Sequence, residues 1–145
     1  MRIFFKEDYI TIQYDETNCA LVTTFIKPSL SKEFRDGMLV LIGAMQHFKT
    51  GRVIFETSGL GALFLEDQQW IAEYWYELAI NAGYEKVAFI IPEGTFAQFS
   101  VTGATTMVKK RIPTGYFGTE QEAYDWINEG FIHGDEVLKS ERADK

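Results

Sequence analysis

The sequence predicts an α/β fold, a mixed β-sheet with an N-terminal antiparallel hairpin, parallel βαβ units and about four helices. Three observations predict it. Val53-Ile54-Phe55 and Val87-Ala88-Phe89-Ile90-Ile91 are apolar runs without alternation, as strands covered on both faces require. Between them Trp70, Ile71, Tyr74, Trp75 and Leu78 recur at helical spacing and form one apolar stripe. Two buried strands joined by a helix close as a right-handed parallel crossover. Upstream, Ile10, Ile12 and Tyr14 alternate with Thr11, Gln13 and Asp15, the pattern of a half-exposed hairpin strand.

Taken in order, residues 1–6 pair as an edge strand. The alternating strand follows, then the turn Asp15-Glu16-Thr17-Asn18, then a β-branched and aromatic run from Cys19 to Ile26 that completes the hairpin. Pro28 stops it. Ser29 or Ser31 caps a helix reaching Lys49, with Phe34, Met38, Leu41, Ile42, Met45 and Phe48 on one face. Gly37 and Gly43 each cost that helix about 1 kcal/mol relative to alanine, so close packing is expected there. In the central unit, Asp67 caps the second helix and Gly83 ends it. Thr95-Phe96-Ala97-Gln98 opens a helix to about Arg111 whose middle is rich in Ser, Thr and Gly and therefore weak. Tyr116-Phe117 reads as a short strand. Thr119-Glu120-Gln121-Glu122 is a second capping box, and its helix turns Ala123, Trp126 and Ile127 inward before Gly130. No repeat or linker divides the chain. One domain is expected over residues 1–133, with a charged, frayed tail at 134–145.

The 145 residues are 46% hydrophobic and 15% aromatic, enough for one ring-rich core. The formal charge of −7 argues against nucleic acid and anionic lipid as partners, because phosphate affinity comes from Lys and Arg. Lys109-Lys110-Arg111 is the one basic cluster, placed where a helix C-terminus welcomes cations. Cys19 is the only cysteine, and no apolar run approaches the roughly 20 residues of a bilayer span. Met1-Arg2-Ile3 is followed by Lys6, Glu7 and Asp8, which is no signal-peptide core. A soluble cytoplasmic protein is the expectation.

Catalytic patterns are sparse. His47 and His133 lack a carboxylate or cysteine at ligand spacing, so neither zinc nor a Ser-His-Asp site is expected, and no cofactor. Cys19 lies in a strand pattern with no positive group beside it, the setting of a buried structural thiol. Gly59-Leu60-Gly61 lacks the third glycine of a dinucleotide loop and the lysine of a phosphate loop. Glu66, Asp67 and Glu93 sit at loop–helix junctions, and capping accounts for Asp67. The aromatic band Trp70, Tyr74, Trp75 and Tyr76 is mostly core by spacing, but Tyr76 falls off the stripe, so it or Trp75 is a candidate to line a cleft.

The residues Glu56-Thr57-Ser58-Gly59-Leu60-Gly61 resemble the strand-to-helix signature of STAS domains, the family of anti-sigma-factor antagonists, written Asp-Ser-Ser-Gly-Leu-Gly. The closing pattern carried by Phe117, Thr119, Glu122, Ala123 and Trp126 is similar to the SpoIIAA-like branch of that family, also grouped with SEC14-type lipid-binding domains. The resemblance covers residues 10–130. It implies a non-catalytic regulatory module with a protein partner and a serine phosphorylated by a kinase. By letters that serine is Ser58, preceded by Thr57, with Glu56 as the acid. By spacing, Val53-Ile54-Phe55 is itself the central strand, and the family's loop falls on residues 64–68, which hold no serine. The lipid-carrier grouping implies instead a small apolar ligand, with Trp75, Tyr76, Phe96, Phe99 and Met107 as the cleft. Phosphate on Ser58 is expected to release a partner that presents acids.

Overall fold

Six strands form one mixed sheet in the order β1-β2-β3-β4-β5-β6. The computed structural model describes residues 1–92 and 112–131. The strands are β1 (Arg2–Lys6), β2 (Ile10–Asp15), β3 (Ala20–Phe25), β4 (Arg52–Glu56), β5 (Lys86–Ile90) and β6 (Thr114–Phe117). β1, β2 and β3 pair antiparallel, and β3 through β6 run parallel. β1 is the edge strand its position suggests, with an irregularity between Ile3 and Phe5 that blunts the free edge. Val53 pairs with Val87 and Phe55 with Phe89, so the two apolar runs are parallel neighbours as their patterns predict.

α1 (Ser31–Phe48) joins β3 to β4. α2 (Leu65–Trp70), a π-helical stretch (Ile71–Trp75) and α3 (Tyr76–Asn81) continue as one rod over residues 65–81 and join β4 to β5. Both crossovers step the same way across the sheet, which puts their helices on the same face. There Ile10, Ile12, Leu21, Val53 and Val87 meet Phe34, Met38, Leu41 and Met45 of α1 and Trp75 and Ala79 of the rod. α4 (Glu120–Asn128) covers the opposite face, where Ala123 and Ile127 pack on Ile54, Ala88 and Ile90. Thr119 caps α4 by accepting from the Glu122 N–H, while the Glu122 carboxylate accepts from the Thr119 hydroxyl rather than from a backbone donor. The expected weak helix at residues 95–111 and the tail at 134–145 lie outside the described residues.

Several local expectations change. Leu30, not a serine, is the N-cap of α1, and the Glu33 carboxylate accepts from the Leu30 N–H. Phe64, not Asp67, is the N-cap of α2. Asp67 is buried inside the helix, where its carboxylate accepts from the Ser31 hydroxyl at 2.7 Å and from Arg35 Nε at 2.8 Å. The apolar stripe also shifts. The wide turn at residues 71–75 adds a residue to the helical period and advances the phase by about one position. Trp75, Tyr76 and Ala79 therefore face inward, and Tyr74 faces solvent. Gly37 does seat closely, with a Cβ there meeting Ile10 Cδ1 at 3.0 Å, whereas nothing stands within 4 Å of Gly43. Cys19 is not in the strand. It occupies the turn before β3 with φ 51°, half-buried.

Candidate functional site

Four parallel strands bring their carboxyl ends to one edge of the sheet, the usual place for function in α/β folds. A binding crevice forms there when adjacent strands send their following helices to opposite faces. Here the segments after β3 and β4 both lead to helices on the same face, so the two loops abut instead of splaying. Gly59 makes the contact possible. A Cβ on it would lie 2.3 Å from the Ile26 carbonyl oxygen and 2.4 Å from that of Phe25. Gly61 follows at φ +71°, against the Pro28 ring. The result is a raised platform of two loops, 26–30 and 57–64.

Thr57 anchors its base. Its N–H and its hydroxyl both donate to the Ile90 carbonyl, at 3.1 and 2.8 Å, and the residue is fully buried. That placement removes Thr57 as a modification site, because its hydroxyl is already spent inside the sheet. Leu60 is buried below, and its N–H closes a turn onto the Thr57 carbonyl at 3.0 Å. Ser58 is lifted to the surface by this turn. Its hydroxyl lies 2.7 Å from both oxygens of the Glu56 carboxylate, which also accepts from the Ser58 N–H at 3.1 Å. Ser58 and Glu56 thus come together at the end of the central strand. They stand apart from a helix start, since α2 begins only after Phe64.

Of the proposed cleft residues, the two that are described, Trp75 and Tyr76, lie in the core and not here. Trp75 is 2% exposed and donates its Nε1–H to the Met38 carbonyl at 2.7 Å, which locks the rod to α1. Tyr76 is buried against Tyr84. Both rings belong to the core: Trp75 lies on the stripe that helical spacing gave, and the π-helical turn brings Tyr76 inward beside it. Phe96, Phe99 and Met107, like His133, Glu93 and the basic cluster 109–111, lie outside the described residues.

The opposite end of the sheet holds an open cavity of about 620 Å³ beside Tyr14, Cys19, Lys49 and Arg52. Contrary to the sequence expectation, a cation does stand near Cys19, since Arg52 Nη1 donates to its carbonyl at 3.2 Å. Arg52 is buried, and burial lowers its pKa. Both Nη groups are engaged in bonds to carbonyl and amide oxygens, so the guanidinium is structural. Among the described residues no three His, Cys, Asp or Glu side chains converge as metal ligands. Nor is any described helix long and apolar enough to cross a membrane.

Sequence reasoning missed the exposed apolar residues on the platform, Ile26, Leu30, Phe64 and Leu65. The available signal was two helix starts without a polar cap immediately before them. No family model matches the chain, and neither a curated protein nor a solved structure matches it. Fold and platform together define the class: an α/β protein with a mixed six-stranded sheet and two abutting loops at the carboxyl ends of β3 and β4.

Proposed function

We propose that the chain is a non-catalytic regulatory interaction module of STAS type, with Ser58 as the residue whose modification controls a protein partner. The observation that supports this reading is the exposed Ser58 hydroxyl, held at the end of β4 where the two loops abut. Glu56 explains how a phosphate would act. A phosphoryl group brings about 1.5 to 2 negative charges. It cannot stay 2.7 Å from a carboxylate, so it would swing out from the loop surface into any docked partner. A strongly hydrated anion on an apolar contact opposes docking through its desolvation.

Two measurements test this. Phosphopeptide mapping of the protein from its own cells is expected to place phosphate on Ser58 and none on Thr57. Ser58→Asp is expected to keep the far-UV spectrum and melting temperature near those of the parent, yet lose a partner that Ser58→Ala retains. The reading fails if Ser58→Asp unfolds the chain, or if both variants hold the same partners.

A further inference from the structure

The platform around Ser58 carries four large apolar side chains in the open. Leu30 is 73% exposed, Phe64 64%, Leu65 54% and Ile26 48%. Single exposed apolar residues are ordinary, but a group on two abutting loops marks an interaction surface. The loops are fixed to one another. Gly59 touches the Ile26 backbone, and the Ser31 hydroxyl at the start of α1 reaches Asp67 in α2. Leu30 and Phe64 each occupy an N-cap, where Ser, Thr, Asp or Asn would stabilise the helix. Local helix energetics therefore give no reason for apolar residues at these two positions.

Charge selects the partner. Among the described residues, Lys27 is matched by Asp8 at 2.8 Å, Lys32 by Asp36 at 3.5 Å and Arg35 by Asp67 at 2.8 Å. Glu56 and Glu66 have no ion-pair partner among the described residues. The rim therefore carries excess negative charge, on a chain whose formal charge is −7. A second copy would bring like charges together, and an anionic membrane would be repelled.

Resting on the interaction-module reading, we infer that Ile26, Leu30, Phe64 and Leu65 form the docking surface for the apolar face of a basic amphipathic segment of a protein partner, with Glu66, away from Ser58, receiving its Lys or Arg residues; this partner is opposite in charge to the acid-presenting one the sequence suggested. Apolar anchors supply the affinity, and the acid rim supplies orientation and association rate.

The test uses the full chain and two synthetic helical peptides. Both carry leucine at positions i, i+3, i+4 and i+7; one is flanked by lysines, the other by glutamates. NMR titration with the lysine peptide is expected to shift the resonances of Ile26, Leu30, Gly59, Phe64 and Leu65. Binding should weaken as salt rises, and the glutamate peptide should bind at least about tenfold less tightly. Leu30→Ser with Phe64→Ser should remove binding while leaving the remaining spectrum folded. Glu66→Gln should flatten the salt dependence. The inference is overturned by shifts elsewhere on the molecule, by no shifts with either peptide, or by equal binding of the two. Concentration-dependent self-association through the platform would overturn it too, as would partition onto phosphatidylcholine vesicles in preference to the lysine peptide. These outcomes are separate from the Ser58 test: a partner lost in Ser58→Asp, but with the lysine peptide shifting none of the five residues, would refute the surface and leave the switch intact.

Discussion

Thr23 shows a single residue held against its own chemistry. It lies in β3 on the face covered by α1, laterally between Ile12 and Phe55. The residue is fully buried, and its hydroxyl finds no hydrogen-bond partner. Leaving a buried hydroxyl unpaired costs about 1–3 kcal/mol. Valine keeps the branched shape without the polar atom, so Thr23→Val is expected to raise stability by about 1 kcal/mol. Urea unfolding would register this as a higher midpoint at an unchanged slope. A lower midpoint would show that the hydroxyl is satisfied in solution. Asp67 is the opposite case. Its type suits a cap, but Ser31 and Arg35 of α1 draw its carboxylate inward. There it ties the starts of two helices together.

At the scale of elements, α4 is secured through its C-terminus. The last carbonyls of a helix have no partners within it and favour cations. Arg52 of β4 donates to the Ile127 carbonyl at 2.8 Å and to Asn128 Oδ1 at 3.0 Å. Lys86 of β5 donates to the Trp126 and Glu129 carbonyls at 2.7 and 3.0 Å. Arg52 also holds the Asn18 carbonyl at 2.6 Å, so the hairpin turn, the sheet and α4 meet on one side chain. Arg52→Met strands several of these acceptors and is expected to cost roughly 2–4 kcal/mol. The loss should be local. Amide exchange in α4 should accelerate far more than in α1, whose packing does not involve Arg52. Equal acceleration in the two helices would show that Arg52 does not act as a tether for α4.

For the whole molecule, the aromatic core sets the alkaline limit of stability. Burial is the first cause that raises the pKa of Tyr9, Tyr14, Tyr84 and Tyr124 above the ordinary phenol value near 10, and Tyr84 and Tyr124 rise furthest. Above that value the unfolded chain loses phenolic protons that the folded chain keeps. The folded state then binds more protons, and stability falls as pH rises. Lys86 and Arg52 act in the opposite sense, because burial lowers their pKa values, but they are two groups against four. The melting temperature is therefore expected to decline from about pH 10 upward. Tyrosine ionisation, followed by absorbance, should advance in step with loss of the circular dichroism signal. Tyr84→Phe should make the decline shallower. Ionisation complete before any unfolding would contradict this.

Much of this molecule was legible in its sequence. The runs at Val53 and Val87, the alternation from Ile10 to Tyr14 and the Thr119 start of α4 each follow from local periodicity or capping chemistry, and each forms the expected element. So does the mixed sheet, because its strands differ in pattern according to whether one or both faces are covered. The site was legible only in part. The letters around Ser58 marked the loop, yet local rules could not say that Thr57 is buried and Ser58 exposed. That difference arises because the Ile90 carbonyl on the neighbouring strand takes the Thr57 hydroxyl. Helical spacing already placed Trp75 on the apolar stripe, but the inward turn of Tyr76 and the outward turn of Tyr74 accompany one π-helical turn, and a uniform 3.6-residue period carries no sign of it. Cys19 left its strand for a left-handed turn beside Arg52. The apolar platform needed two loops far apart in the chain to meet at Gly59 and Ile26. Sequence by itself determined which segments become strands and helices, because those choices depend on neighbours a few residues away. Tertiary structure alone decided which groups are exposed, paired or buried, because those choices depend on what the sheet and its crossovers bring alongside.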